Sequence, residues 1–260
     1  MVTQRKVTRK KKEGDSPVVS EKFAEIRAQK VFDLKPKTEN QSKALKLLKE
    51  KKVTVLRGSS GSGKSYLACI HAANEYLKGN VKKIVLIRPY EMVGRTIGLR
   101  PGSGEDKLRP LMQSMLQYLE LVFGKAELEA KIASGTIALE ALEDCRGRSY
   151  ENSWIICDEA QNIDSHGMKA LVTRLNENSK ICFCGDGKQK DTKADSGIDS
   201  LCNIISRVRK ETPSYINERD MWEANNNFGV VTFTHDDVVR SGFTALMVKV
   251  IDNDWSYQSP

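Results

Sequence analysis

The chain has 260 residues, long enough for one sizeable α/β domain and too short for two full ones. Its 39% apolar and 29% charged residues are those of a soluble globular protein; no run reaches the ~18 apolar residues of a membrane span, so a cytoplasmic protein with no membrane partner is expected. Six of the eight net positive charges come from Arg5, Lys6, Arg9, Lys10, Lys11 and Lys12, which leaves the remainder near neutral at +2 and excludes a secretory signal, because no apolar stretch follows.

Residues 1–20 lack periodicity and read as a disordered basic tail. Residues 21–260 read as a single domain, with 21–36 mixed and partly helical. A helix runs from Thr38 to Lys51, capped by Thr38 or Asn40, with Ala44, Leu45, Leu47 and Leu48 inward. Val53–Leu56 is a buried strand, followed by a glycine-rich turn. The next helix, from about Lys64 to Lys78, turns Leu67, Ile70, Ala73 and Leu77 inward and stops at Gly79-Asn80; His71 reads as surface or partly packed. Ile84–Ile87 is a second strand, ended by Arg88-Pro89. The glycines and proline of 91–104 make a loop. Helices are expected over about 106–123 and 125–133, then strands at Thr136–Leu139 and Trp154–Cys157. Asp164 or Ser165 caps a helix whose Met168, Leu171, Val172 and Leu175 follow helical spacing. Ile181–Cys184 is a strand and 197–210 a helix. The polar stretch 211–228 reads as a long loop, Val230–Phe233 as a strand. A final helix from about Asp236 buries Phe243, Leu246, Met247 and Val250. Short, continuous apolar strands alternating with helices mean a mostly parallel sheet covered on both faces.

Gly58-Ser59-Ser60-Gly61-Ser62-Gly63-Lys64-Ser65 fits the phosphate-loop pattern in full. Its glycines let backbone N–H groups turn inward on phosphate, and the helix after it offers its positive end. Lys64 reaches the β- and γ-phosphates, and the Ser65 hydroxyl binds Mg²⁺. ATP with Mg²⁺ is therefore the expected cofactor pair. Asp158, at the end of a parallel strand, lies where such sheets bind ligands and is the expected Mg²⁺ partner. Glu159, one residue on, suits a general base that orients water, which favours hydrolysis over transfer to an acceptor. Gln189, in Gly185-Asp-Gly-Lys-Gln189, is a candidate γ-phosphate sensor. Arg240 is a candidate for stabilising transition-state charge. No Cys/His set stands at zinc spacing.

This ordered set resembles the PhoH-like family of phage and bacterial ATPases. Pro36-Lys-Thr-Glu-Asn-Gln41, the phosphate loop, Arg88-Pro89, Asp158-Glu-Ala-Gln-Asn162, Gly185-Asp-x-x-Gln189 and Asp237-Val-Val-Arg240 carry the resemblance over about 35–252. Arg146-Gly-Arg148 and Thr173-Arg174-Leu175 match as well. Two stretches depart from the family pattern: the segment from Gly102 to Leu108 is shorter and 211–228 is longer. The resemblance implies a three-layer, RecA-like P-loop NTPase core close to that of superfamily-one helicases. It implies ATP hydrolysis, a role on RNA or single-stranded DNA, and adenine reading by Gln41. Those helicases close ATP between two such domains, whereas this chain has room for one. The expectation is therefore a homo-oligomeric ring, a hexamer, with Arg240 or Arg174 supplied by a neighbour. The competing reading is an ATP-dependent switch or adaptor acting on a protein partner; a metabolite kinase is disfavoured by Glu159.

Overall fold

Apolar runs become strands when both of their faces can be covered. In the computed structural model, which describes residues 31–89, 108–145, 147–186, 196–210, 214, 216–239 and 242–254, six runs do so. They are β1 (Val53–Gly58), β2 (Lys83–Arg88), β3 (Ile137–Ala141), β4 (Ser153–Cys157), β5 (Lys180–Gly185) and β6 (Phe228–Phe233). All pairings are parallel and the order is β3-β2-β4-β5-β1-β6.

Alternation along each strand splits the core in two. Leu56, Leu86, Trp154, Ile156 and Cys182 face α1 (Glu39–Glu50), α2 (Lys64–Leu77), α3 (Gln113–Phe123) and α4 (Lys125–Ala133). Val55, Val85, Ile155 and Phe183 face α5 (Ser165–Val172) and α6 (Gly197–Lys210). The result is the three-layer α/β architecture read from the strand–helix alternation. Among the described residues, no helix is long and apolar enough to cross a membrane.

Local signals account for most helix ends. The Thr38 side chain accepts from the Gln41 amide and caps α1. Gly79 ends α2 at φ +77°, with its amide on the Tyr76 carbonyl and that of Asn80 on Glu75, as in a Schellman closure. Asp164, of the two candidates, caps α5 through the Gly167 amide.

Of the stretch 21–36, residues 31–36 form no regular element and 21–30 lie outside the described residues, as do the 1–20 tail and the 91–104 loop. Five expectations are corrected. The helix expected over about 106–123 is interrupted: 106 and 107 lie outside the described residues, Leu108 is helical, and α3 begins at Gln113 after a turn. Pro110 disfavours a helical Arg109, so 109–112 fold as a turn whose Leu111 and Met112 amides bond the Leu108 carbonyl. The stretch 211–228 holds a helix, α7 (Glu218–Asn227). Asn217 caps it, and Glu218 and Asp220 oppose the positive end. None of its residues is buried, so it leaves no apolar periodicity to read.

His71 is only 3% exposed; α2 is sandwiched between the sheet, α1 and α3, and the imidazole stands edge-on to Trp154 at 4.7 Å. The last helix, α8 (Gly242–Asp254), starts six residues late. Residues His235–Asp237 form one 3₁₀ turn, because Asp237 is drawn into a capping box with Thr234. The apolar stripe of α8 is bare rather than buried: Phe243 is 75%, Leu246 55%, Met247 36% and Val250 42% exposed.

Candidate nucleotide-binding site

The crevice lies at the carboxyl ends of the strands, where β1 runs into the glycine-rich turn. Gly58 is the residue this turn needs. At φ +119° it pairs with Phe233 of β6, and a Cβ there would stand 1.9 Å from the Phe233 carbonyl oxygen. Gly61 and Gly63 also take positive φ. Gly63 is the N-cap of α2 and supplies no side chain, so the first amides of the helix remain available to an anion. The Ser62 hydroxyl donates to the Ser59 carbonyl at 2.8 Å and tightens the turn.

Lys64 is buried, with its ammonium donating to the Gly58 and Ser59 carbonyls at 2.6 and 2.8 Å. Burial lowers its proton affinity, while the neighbouring Asp186 and Asp158 pull the other way. The Ser65 hydroxyl donates to Asp158 Oδ1 at 2.7 Å. Burial raises the Asp158 carboxyl above its ordinary range, and adjacent Glu159 adds to this against the Ser65 hydrogen bond and Arg88. A hydroxyl and a buried carboxylate in contact, with a second acid beside them, form an oxygen donor set suited to a hard divalent cation. The residues present therefore fit Mg²⁺ at Ser65 and Asp158. They also fit a triphosphate on the loop, in an open cleft lined in part by Ser60, Lys64, Tyr66 and Tyr118.

Glu159 takes the left-handed conformation, φ +51°, directly after Asp158. Its Oε1 accepts from Arg88 Nη2 at 3.1 Å and its Oε2 from Gln161 Nε2 at 2.7 Å. Arg88 comes from the end of β2, whose Ile87 pairs with Cys157. The motifs contained Arg88 and Gln161, but their convergence on Glu159 was invisible in the sequence, because strand order was not known. The edge-to-face pair Tyr66–Tyr118, 5.4 Å between centroids, was missed too; lone tyrosines on two helices leave no signal.

Gln41 sits behind the loop and is 4% exposed. Its Nε2 donates to the Ser62 carbonyl at 3.0 Å and its Oε1 accepts from the Lys37 amide at 2.7 Å. Both ends of the amide are thus engaged with the protein. Beside it, Thr38 and Asn40 donate to Asp237 at 2.6 and 2.8 Å. Burial pushes the Asp237 carboxyl up, but these bonds and those from Thr234 outweigh it and hold it below the ordinary carboxylate range. This latch brings Val239 to the loop, where its amide meets the Gly61 carbonyl at 3.4 Å.

The structure thus lines one crevice with Ser60, Gly61, Gly63, Lys64, Ser65, Asp158 and Glu159, while Gly58, Ser59 and Ser62 complete the loop and Gln41 supports it from behind. Arg174 is elsewhere. Its guanidinium donates to the Arg148 carbonyl, and its own carbonyl accepts from the Tyr150 amide, before the start of β4. It does not line the cleft that holds Lys64, Ser65 and Asp158. Gln189 and Arg240 lie outside the described residues.

A parallel sheet with a phosphate loop leaving its β1 strand and an acid ending β4 defines a P-loop NTPase core of RecA-like architecture. Within that class the chain belongs to the PhoH-like family: a family model described as "PhoH-like protein" matches residues 33–252. Protein PhoH2 of Bacillus subtilis is 40% identical over 186 residues, covering 68% of this chain and 41% of that protein. A PhoH-like protein of the same organism is 28% identical over 219 residues, covering 84% and 64%. The chain therefore spans less than two thirds of the length of these relatives. Among solved structures, a Sulfolobus solfataricus SWI2/SNF2 ATPase core aligns at 16% identity and a TM-score of 0.39, covering 75% of this chain and 43% of that one.

Proposed function

We propose that this chain is a magnesium-dependent ATP hydrolase that couples turnover to RNA or single-stranded DNA as a homo-oligomeric ring, a hexamer, in the cytoplasm. The observation that carries the hydrolase reading is the Ser65–Asp158 contact at 2.7 Å, with Lys64 and Glu159 on the same cleft. The loop amides and Lys64 bind the triphosphate, and Ser65 and Asp158 hold the metal, which when bound offsets phosphate charge. Glu159 orients a water and takes its proton as the oxygen attacks the γ-phosphorus, while the bond to the β-phosphate breaks and ADP leaves.

One observation supports the ring: the bare stripe on α8 is an apolar surface that a second copy can cover. Arg174 does not line its own cleft, so a part for it would be played in a neighbour's. Val239, bonded to its own Gly61, ties the chain immediately before Arg240 to the same subunit's loop. Six free cysteines, five of them buried, suit a reducing compartment. The nucleic-acid reading follows the family resemblance and the basic residues 5–12.

The test is phosphate release by wild type and Lys64→Ala, with and without single-stranded RNA and DNA, at fixed salt. Release stimulated several-fold by one of the strands is expected. Release indifferent to every strand points instead to a switch acting on a protein partner. Mixing Lys64→Ala with Arg174→Ala protein, and separately with Arg240→Ala, checks closure in trans. Recovery at intermediate ratios is the expected result for the arginine that crosses the interface, and no recovery with either rejects that closure.

A further inference from the structure

We propose that Arg88 and Gln161 are positioning residues that clamp the Glu159 carboxylate in its working orientation, an inference that rests on Glu159 being the group that orients water.

The Glu159 side chain is 40% exposed, so packing covers it only in part and leaves its terminal carboxylate to be oriented by polar contacts. Its orientation here comes from polar contacts, one on each oxygen. Arg88 Nη2 donates to Oε1, and Gln161 Nε2 donates to Oε2. Each donor is itself anchored. Arg88 has an 18% exposed side chain and uses its other terminal nitrogen, Nη1, on the Leu111 carbonyl ahead of α3. Gln161 is 1% exposed, and its Oε1 accepts from the Asp186 amide at 3.0 Å, just past β5. Gly185 makes room for this bond, since a Cβ there would lie 2.8 Å from Gln161 Oε1. One carboxylate therefore ties together the ends of β2, β4 and β5. A carboxylate oxygen accepts two hydrogen bonds, so the clamp leaves an acceptor direction on each oxygen for water. The left-handed backbone at Glu159 persists where surrounding bonds over-determine it, and these two bonds supply that constraint.

Arginine is suited to this place because its two terminal nitrogens serve Leu111 and Glu159 at once; a lysine keeps one donor. Glutamate at 161 has nearly the shape of glutamine but puts an acceptor where Glu159 needs a donor.

The experiment compares steady-state ATP hydrolysis and the affinity for a non-hydrolysable ATP analogue in wild type, Arg88→Ala, Arg88→Lys and Gln161→Glu, each also combined with Glu159→Gln. Arg88→Ala and Gln161→Glu are expected to lower kcat by about tenfold to a hundredfold, with KM and analogue affinity within about threefold of wild type. Arg88→Lys retains more activity than Arg88→Ala. In the Glu159→Gln background neither change lowers kcat further, because the group they position is gone. An unchanged or raised kcat in Arg88→Ala, or an equal loss in the Glu159→Gln background, overturns the clamp. If Arg88→Ala does not fold, the nearly isosteric Gln161→Glu decides by the same criteria. Wild type that releases no phosphate, or Glu159→Gln with wild-type kcat, fails the hydrolase reading itself. A dead Glu159→Gln beside a fully active Arg88→Ala and Gln161→Glu fails the clamp alone.

Discussion

Helices α2 and α8 carry similar apolar spacing and meet opposite fates. Leu67, Ile70 and Ala73 of α2 are buried under α1, α3 and the sheet, and even its His71 is enclosed. Phe243, Leu246, Met247 and Val250 of α8 face outward. Periodicity states that a helix has an apolar face; only the strand order and the neighbouring helices decide what covers it. The contrast separates residues that hold this chain together from residues available to hold two chains together.

Four measurements sharpen or break that contrast. The largest effect belongs to the start of α2. Lys64→Ala removes a cation that faces phosphate and is expected to lower kcat/KM for ATP by on the order of 10²–10³-fold. Its unfolding should also become easier by about 1–3 kcal/mol, because the carbonyls of half-buried Gly58 and buried Ser59 lose their donor. Next, Leu67→Ala is expected to cost about 2–5 kcal/mol in denaturant unfolding, as for a fully buried leucine. A cost below 1 kcal/mol would show that α2 is not the packed centre of the layer.

The third measurement is a pH titration of stability. Burial holds the His71 imidazole neutral, with its pKa lowered to about 4 from 6.5. Glu75 opposes this shift and Lys180 adds to it. Between pH 6.5 and 4 the unfolded chain takes up a proton that the folded chain refuses. Stability is therefore complete above pH 6.5 and falls as the pH drops through that window, by about 3 kcal/mol in all. His71→Phe should remove that part of the acid sensitivity, and an unaltered pH profile would reject the assignment. The smallest effect is expected on α8. Leu246→Ser should change monomer stability by no more than about 0.5 kcal/mol, as for an exposed site. Its effect should emerge instead in sedimentation, as a shift toward smaller species. A large loss of monomer stability would mean that the stripe packs within its own chain.

What the sequence discloses follows the same division. The strands were legible because both their faces are buried and their apolar runs are continuous. The phosphate loop was legible because its glycines sit at fixed spacing for a backbone reason, positive φ at Gly58, Gly61 and Gly63. Helix α7 was not, since a cap at Asn217 and two acids stabilise it without burial. The break between Leu108 and α3 hung on a single proline. In the site, Ser65 and Asp158 were foreseen as a pair, because each is fixed by the element it adjoins. The contacts of Glu159 with Arg88 and of Gln161 with Asp186 were not, because they join the ends of β2, β4 and β5, whose order no local pattern encodes. The bonds of Gln41 to Ser62 and Lys37 were not foreseen, because its reading as an adenine contact came from resemblance, which says nothing of what holds the side chain in place.

The latch between Thr38 and Asp237 sets an order of events during synthesis. Its two halves are 199 residues apart in sequence. The phosphate loop leaves the ribosome early, but its flanking strand β1 pairs with β5 and β6, and its outer wall closes on Asp237. Contacts of such separation form late, because a long loop must close before they repay its entropy. A nascent chain that already exposes Lys64 thus still lacks the support that shapes the turn. Grip on nucleotide should arise only once residue 237 has been made, so a chain stopped short of it carries the whole motif and an unfinished pocket.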